Sequence, residues 1–334
     1  LAALKPPFKN SKGVRVTAEA VYDFSVSIIV PAMNEEGNID EFCRQFDEMQ
    51  KSAPFKAELV YVDDGSTDGT LSKIKAAAQR YDFVKFAIHQ RNRGLTEALM
   101  TGFQAASSQV LVFYPADLQY RPADIPALVE PIAKGADLST GWKQGQYKKW
   151  FVSNIYNWIS RKIFGLKVHD LNSVKAFRRS VVEQIFLRKD WHRYLVVLAA
   201  HEGFHIEEVR VSVYERSWGR TKFSIWRIPI GVLDMVAVKF QLTFFRKPLL
   251  FFGIVGTIFF SLGFLVGLWA VYLKYIKHET QLPLLYLVIL LAGLGFGLFL
   301  MGFIVEGQTA IKEEVGDLRR KMQRLMAKND SSRD

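Results

Sequence analysis

Apolar positions come in short runs through the first third of the chain, and each run stops at a turn-forming cluster. Ser25–Val30 (Ser-Val-Ser-Ile-Ile-Val) is apolar and β-branched, and Pro31 ends it. Ala57–Val62 stops at Asp63-Asp64-Gly65-Ser66, Phe83–Ile88 is a third run and Val110–Tyr114 a fourth. Between them the period changes to that of a helix. Ile39, Phe42, Phe46 and Met49 share one face over Asn38–Lys51, and further helices are predicted over Leu71–Arg80 and Leu95–Ser107. Strand and helix alternating at this pitch predict an α/β fold, a mostly parallel sheet with helices on both faces.

After Gly141 the pattern changes. Trp150–Phe164 and Phe223–Phe245 are aromatic and basic, which suits helices lying in a membrane interface. Ordinary amphipathic helices packed on the sheet are the alternative. Residues 249–273 and 284–305 carry no charge. At a rise of ~1.5 Å per residue they reach roughly 37 and 33 Å, against a hydrocarbon core of about 30 Å. Both read as membrane spans, because a core helix of a soluble protein rarely runs this far without a polar face. The linker Lys274–Pro283 is short, so both outer ends of the pair lie on one side. In the tail, Ile311, Val315, Leu318, Met322 and Leu325 recur at heptad spacing within Gln308–Lys328. That suits either an amphipathic helix docked on its own protein or membrane, or a homo-oligomer contact. Gly263-x-x-x-Gly267 and Gly293-x-x-x-Gly297 permit close helix packing in the spans.

The expected organisation is an N-terminal extension (1–24), an α/β domain (25–222), interfacial helices (223–247), two transmembrane helices (248–305) and a cytosolic amphipathic tail (306–334).

Charge sharpens this picture. The 334 residues carry a formal net charge of +11. Segment 142–247 holds 20 Lys and Arg against 8 Asp and Glu, so the whole excess sits just before the first span. A basic stretch there reads as a surface for anionic headgroups. Nucleic acid, the other partner such charge suggests, leaves the spans unexplained. The single cysteine, Cys43, excludes an internal disulfide and a cysteine zinc site. Leu1–Phe24 is mixed and polar, unlike a signal segment, so the soluble part is expected on the cytosolic side. Arg246 and Lys247 before the first span and Lys274 and Lys277 in the linker do not orient the pair.

Four polar clusters fall at strand ends: Pro31-Ala32-Met33-Asn34-Glu35-Glu36, Val62-Asp63-Asp64-Gly65-Ser66, Pro115-Ala116-Asp117-Leu118-Gln119 and Gly141-Trp142. Each alone is compatible with turn chemistry. Together, at the carboxyl ends of parallel strands, they line one crevice of the kind that binds nucleotides. Asp64 can accept from a base N–H and Glu35 from ribose hydroxyls. His201-Glu202-Gly203-Phe204-His205 has zinc-protease spacing. Gly203 inside it and the strand-like Ile206–Val211 directly after argue for a helix-to-strand turn instead.

These motifs, in this order, resemble the inverting glycosyltransferases of family 2 with a GT-A fold. The narrower resemblance is to the polyprenyl-phosphate group (dolichol-phosphate mannose synthase and bacterial undecaprenyl-phosphate glycosyltransferases). The segments that carry it are Ser27–Pro31 with Asn34-Glu35, Val62–Thr70, Asn92-Arg93-Gly94, Asp117-Leu118-Gln119, His169–Asn172 with Lys175–Arg179, and Arg216-x-x-Gly219-x-Thr221-Lys222. It covers about Ser25 to Arg227. The resemblance implies that Pro31, Met33, Glu35, Asp64, Ala116 and Gln119 hold a UDP- or GDP-sugar. It implies that Asp117 and Gln119 ligate Mg²⁺ or Mn²⁺ on the diphosphate. Arg216 and Lys222 would close over the phosphates from a mobile loop. The implied acceptor is a polyprenyl phosphate at the cytosolic face of a bacterial inner or plasma membrane.

Two positions depart from the family. Pro115 stands where an Asp-x-Asp motif has its first acid. Asn154 stands where an arginine often meets the acceptor phosphate, and Lys143, Lys148 or Lys149 are its candidate substitutes. A relative that binds nucleotide or lipid without turnover is one alternative reading. Another is a processive polysaccharide synthase, which two spans and the lack of Gln-x-x-Arg-Trp argue against.

Overall fold

A computed structural model of the chain describes residues 8–9, 15–16, 22–144, 150–166, 168–185, 187–188, 190–216, 227–244, 247–279 and 281–330. The chain divides into two compact units, Leu1–Arg227 and Ile228–Asp334.

In the first unit a small ribbon, β1 (Phe8–Lys9) and β2 (Arg15–Val16), precedes the main sheet. There follow β3 (Val26–Ala32), α1 (Glu36–Ser52), β4 (Ala57–Asp63), α2 (Thr70–Arg80), β5 (Val84–Ile88), α3 (Leu95–Ala105) and β6 (Val110–Phe113). The apolar runs and helical faces of the sequence thus form the expected elements to within two residues. Further on come α4 (Ile125–Ala133), β7 (Leu138–Gln144), α5 (Trp150–Phe164), β8 (Lys175–Arg178), α6 (Arg179–Gln184), α7 (Leu195–His201) and β9 (Ile206–Ser212).

The seven main strands lie in the order β5-β4-β3-β6-β8-β7-β9. β5, β4, β3 and β6 run parallel, as do β7 and β9, and β8 is antiparallel to both β6 and β7. The central strand explains the register. Val26, Ile28, Ile29 and Val30 of β3 are all fully buried, because helices cover both faces. On one face Ile28 and Val30 join Phe42 and Phe46 of α1 in the main core. The parallel strands β3, β4 and β6 therefore end side by side, and the turns that follow them meet.

One buried acid strains this unit. Asp124, at the start of α4, has a side-chain oxygen with no hydrogen-bond partner among the described residues. Burial pushes its carboxyl up from 3.8 to about 6, with Arg121 opposing. Because the folded pKa is raised, the destabilisation is absent below about pH 4 and complete above about pH 6. Asp124→Asn should therefore raise Tm at pH 7.5, by roughly 1–3 kcal/mol of stability, and leave it unchanged at pH 3.5. A thermal melt at the two pH values checks this.

The His-Glu-x-x-His spacing does not form a metal helix. α7 ends at His201, Gly203 turns the chain at φ +85°, and His205 lies just before β9.

The second unit contains α8 (Arg227–Phe244), α9 (Pro248–Ile276) and α10 (Leu282–Asp330). α9 and the Leu282–Gly316 part of α10, with mean hydropathies of 2.4 and 2.6, are long and apolar enough to cross a membrane. Glu306 accepts a hydrogen bond from the Leu249 N–H at 3.1 Å, so an acid satisfies the first turn of α9. The two helices touch backbone to backbone at Gly256 and Gly295. A Cβ on either would lie 2.6 Å from the other's carbonyl oxygen. Gly263 and Gly267 of the first sequence motif also face α10, whereas Gly293 and Gly297 meet no described atom within 4 Å. The first glycine pair thus serves packing within the hairpin. The tail continues α10 without a break, with Ile311, Val315 and Leu318 exposed.

Candidate functional site

The first turn of the site is built by reciprocal hydrogen bonds. Asn34, following β3, takes a left-handed conformation at φ +58°, which asparagine tolerates better than most residues. Its N–H donates to Ser66 Oγ at 3.0 Å, and its Oδ1 accepts from the Thr67 N–H at 2.9 Å. The Glu35 N–H donates to Thr70 Oγ1 at 2.8 Å, and Glu36 accepts from the Gly69 N–H at 2.7 Å. The Asn-Glu-Glu and Asp-Gly-Ser-Thr clusters are therefore one structure, joined across neighbouring strands.

A cleft of about 240 Å³ opens over these strand ends. Pro31, Met33, Glu35, Asp64, Ala116 and Asp117, all expected to hold a nucleotide sugar or its metal, line it. Asn92, Gly94 and Leu95 form another wall. The sequence marked Asn92-Arg93-Gly94 only as a motif, and its structural role is now visible. Gly94 sits at φ +94° and starts α3, so the helix begins at the cleft.

Asp64 is what shapes that wall. It is 5% exposed. Its Oδ1 pairs with His89 Nδ1 at 2.7 Å and accepts from the Arg93 N–H at 2.9 Å, while Oδ2 accepts from the Gly94 N–H at 2.9 Å. His89 Nε2 in turn meets Thr101 Oγ1 at 2.9 Å. Three of the carboxylate's roughly four acceptor positions thus hold the 89–94 loop, and about one remains for a ligand. Gly65 beside it is obligatory. It lies at φ +73°, and a Cβ there would come within 2.5 Å of the Arg91 backbone.

Across the cleft, Leu118 at φ +55° turns the chain so that the Gln119 N–H donates to Asp117 Oδ1 at 3.2 Å. Arg216, 99 residues away, donates from Nη2 to Asp117 Oδ2 at 2.6 Å. The Tyr214 N–H reaches the Gln119 carbonyl at 2.9 Å, which ties the segment after β9 to this loop. Two residues expected in separate roles, Asp117 and Arg216, are therefore joined in one ion pair.

The donor set bears on a metal. Among the described residues, no three of His, Cys, Asp and Glu gather where they could hold an ion by themselves. Asp117 offers the cleft one carboxylate, already met by Arg216 and the Gln119 N–H, whereas Gln119, the other expected ligand, is not part of the cleft lining. Mg²⁺ needs only about one or two protein carboxylates when phosphate oxygens and water complete its shell. Among the described residues this single carboxylate fits a cation that arrives with a diphosphate, and not one held by protein alone.

The other expected residues are placed as follows. Lys143 donates to the Asn172 carbonyl at 2.7 Å and pairs with Asp170 at 3.2 Å. Asn154 lies on α5, and its side chain is outside the described residues, as are Lys148 and Lys222.

The model of glycosyl transferase family 2 matches residues 27–186. Dodecaprenyl-phosphate galacturonate synthase of Rhizobium johnstonii is 31% identical over 273 residues, 79% of this chain and 80% of that protein. Undecaprenyl-phosphate 4-deoxy-4-formamido-L-arabinose transferase of Pseudomonas paraeruginosa is 30% identical over 255 residues, 75% of this chain and 74% of that one. Glucosyl-3-phosphoglycerate synthase from Mycobacterium tuberculosis, crystallised with Mn²⁺, UDP and glucosyl-3-phosphoglycerate, matches with a TM-score of 0.54 at 19% identity, over 65% of this chain and 80% of that one. At that identity the last likeness speaks for the fold.

Proposed function

The chain belongs to glycosyl transferase family 2, among its polyprenyl-phosphate glycosyltransferases, and we propose that it moves a sugar from a UDP- or GDP-sugar to a polyprenyl phosphate at the cytosolic membrane face. The observation that carries this reading is the cleft itself. Glu35, Asp64, Asn92 and Asp117 converge at the ends of parallel strands, and Arg216 is already held at Asp117.

The roles follow from charge. An oxygen of the lipid phosphate attacks the anomeric carbon from the face opposite the diphosphate, and the sugar–diphosphate bond breaks with inversion. The attacking oxygen is anionic at neutral pH, so no side chain has to remove a proton. Negative charge grows on the leaving diphosphate. Arg216, held at Asp117, is proposed to meet it, and a preorganised cation of this kind acts most strongly in a cleft that excludes water. Lys222 is proposed to add a second positive charge from the same segment. Asp117 and Gln119 would hold Mg²⁺ or Mn²⁺, which supplies further charge neutralisation on the diphosphate. Glu35 and the open position on Asp64 are left for the nucleoside. The apolar helices α9 and α10 are proposed to anchor the chain in the membrane that holds a polyprenyl phosphate, and the basic 142–247 segment is proposed to meet its headgroups.

Pro115 and the Asp117–Arg216 pair also suit a relative that binds nucleotide without turnover. Incubation of the full chain in lipid with nucleotide sugars, Mn²⁺ and undecaprenyl phosphate separates the readings. A lipid carrying one sugar, together with released UDP or GDP, is expected. Nucleotide binding without turnover, or a polymeric product, would overturn the proposal.

A further inference from the structure

α10 has two opposite faces. Gly295 and Gly302 pack on α9, and a Cβ on Gly302 would lie 3.1 Å from Leu249. Gly297 and Ile304 each come two residues later, about 200° further round the helix. Their face therefore points away from the hairpin. Gly297 meets no described atom within 4 Å, and Ile304 is exposed. Within the uncharged run 284–305 such exposure is ordinary for a span, because lipid covers it. The same face continues past the span. Gln308, Ile311, Val315 and Leu318 follow Ile304 at 4-3-4-3 spacing, and all four are exposed. Their neighbours in sequence are Lys312, Glu313, Glu314 and Asp317, so here the surrounding medium is water.

Continuity, width and charge say what covers this seam. α10 runs from Leu282 to Asp330 as one helix, and neither Gly307 nor Gly316 takes a positive φ that would end it. An amphipathic helix lying on a membrane surface has to turn away from the span before it, and α10 has no break at which to do so. The apolar stripe is also narrow. In 307–325 every large apolar residue falls at a or d of a heptad, with Ile311 and Leu318 at d and Val315 at a. An interfacial helix shows a broader apolar face, whereas a strict a/d stripe is the seam of helix against helix. Glu314 falls at g and Arg319 at the following e, the two positions that face each other across a parallel pair. Two copies inserted in one membrane carry α10 in the same direction, so a parallel pair is the one they can form. Val315 at a with Leu318 at d favours two strands, and a polar residue at an a position, here Gln308, fixes the register.

We propose that the apolar face of the α10 tail is the docking surface for a second copy of this chain: the two tails pair in parallel through Ile311, Val315 and Leu318, with Glu314 facing Arg319 of the partner subunit. Pairing gives the tail what its own composition withholds. Gly307 and Gly316 weaken an exposed helix, and most helical stability in proteins comes from packing an amphipathic face. The spans hold both tails at one membrane face, which raises their effective concentration and lets a short seam suffice. This inference rests on reading α9 and α10 as membrane spans, and not on the proposed reaction.

The test combines disulfide trapping with chain counting in the full chain, reconstituted at low density in phosphatidylcholine vesicles. Cys43 is buried, so an introduced cysteine reports alone. Val315→Cys and Leu318→Cys are expected to give a disulfide-linked dimer under mild oxidation, and Gly316→Cys, off the seam, none. Single-molecule photobleaching should count two chains, or a multiple of two, for the wild type and one for the double variant Val315→Glu/Leu318→Glu. Glu314→Arg or Arg319→Glu alone should raise the dimer dissociation constant roughly tenfold, since each sets two like-charge pairs across the dimer. The two together should restore it. A wild type counted as single chains, equal trapping at Gly316→Cys, a dimer that survives Val315→Glu/Leu318→Glu, or a charge swap without rescue would overturn the proposal. If alkaline carbonate extracts the chain from vesicles, the membrane reading fails, and trapping of Val315→Cys in solution still decides the seam.

Discussion

Asp117→Ala is expected to lower kcat/KM by a factor of about 100–1,000, the loss typical of removing one preorganised electrostatic contact to a developing charge. The same variant should keep its Tm within a few degrees. The size of the effect follows from what Asp117 does alone. Pro115 has no side-chain ligand, so Asp117 is the sole carboxylate of the Pro115–Gln119 turn. The buried Asp117 oxygens are held by the Gln119 N–H and by Arg216. Removing the carboxylate takes away the proposed anchor for a divalent cation and the 2.6 Å contact that holds Arg216 where it is proposed to meet the leaving diphosphate. Asp117→Asn separates the two effects. It retains an acceptor for Arg216 but loses the charge, so it should lose turnover nearly as far while keeping nucleotide affinity closer to wild type. Turnover measured with undecaprenyl phosphate across a Mn²⁺ titration reads both. An Asp117→Ala chain that turns over at the wild-type rate would end the metal reading.

The contrast between Pro115 and Asp117 was legible in the sequence, and so was the run of elements from Val26 to Phe113. These strands sit in the interior of a parallel sheet. Their apolar runs are continuous, and each must end where the chain turns. The order of the remaining strands was not legible. β8 is only four residues, and it inserts antiparallel between β6 and β7. Its partners are set by long-range pairing, which no local period encodes. The same limit hid the Lys175 environment. Lys175 belongs to a motif in the sequence, but that it is buried opposite Phe113 and Thr140 depends on three strands meeting. The sequence marked Arg216 only through its expected role as a phosphate clamp, and its direct bond to Asp117 across 99 residues was not legible. The glycines of the spans show the opposite failure. The period singled out Gly293 and Gly297, while the actual close contact is Gly256 on Gly295, because spacing along one helix does not say which face its neighbour takes.

Asp64→Ala should lower folding stability by about 3 kcal/mol, since each buried group left unpaired costs roughly 1–3 kcal/mol. For a unit of this size that is a fall in Tm of roughly 6–12 °C. From the sequence Asp64 read as a base-binding acid. In the structure its oxygens accept from His89 and from the Arg93 and Gly94 N–H groups, all within 2.9 Å. It is first the keystone of the 89–94 loop, and a nucleobase contact is proposed only for the one position left over. Asp64→Asn is not a mild change at such a place. Either orientation of the carboxamide sets an N–H against a donor, the Gly94 N–H in one case and the Arg93 N–H in the other. Nucleotide affinity should fall with the wall formed by Asn92 and Gly94, even if the base never touches residue 64. His89→Phe separates scaffold from contact. It breaks the same network from behind, where His89 is 6% exposed and outside the cleft lining. If Asp64 acts through the loop, His89→Phe should weaken UDP or GDP binding in calorimetry in step with its loss of Tm. If nucleotide affinity is unchanged in His89→Phe but lost in Asp64→Ala, the base contact is the dominant role and the loop is secondary.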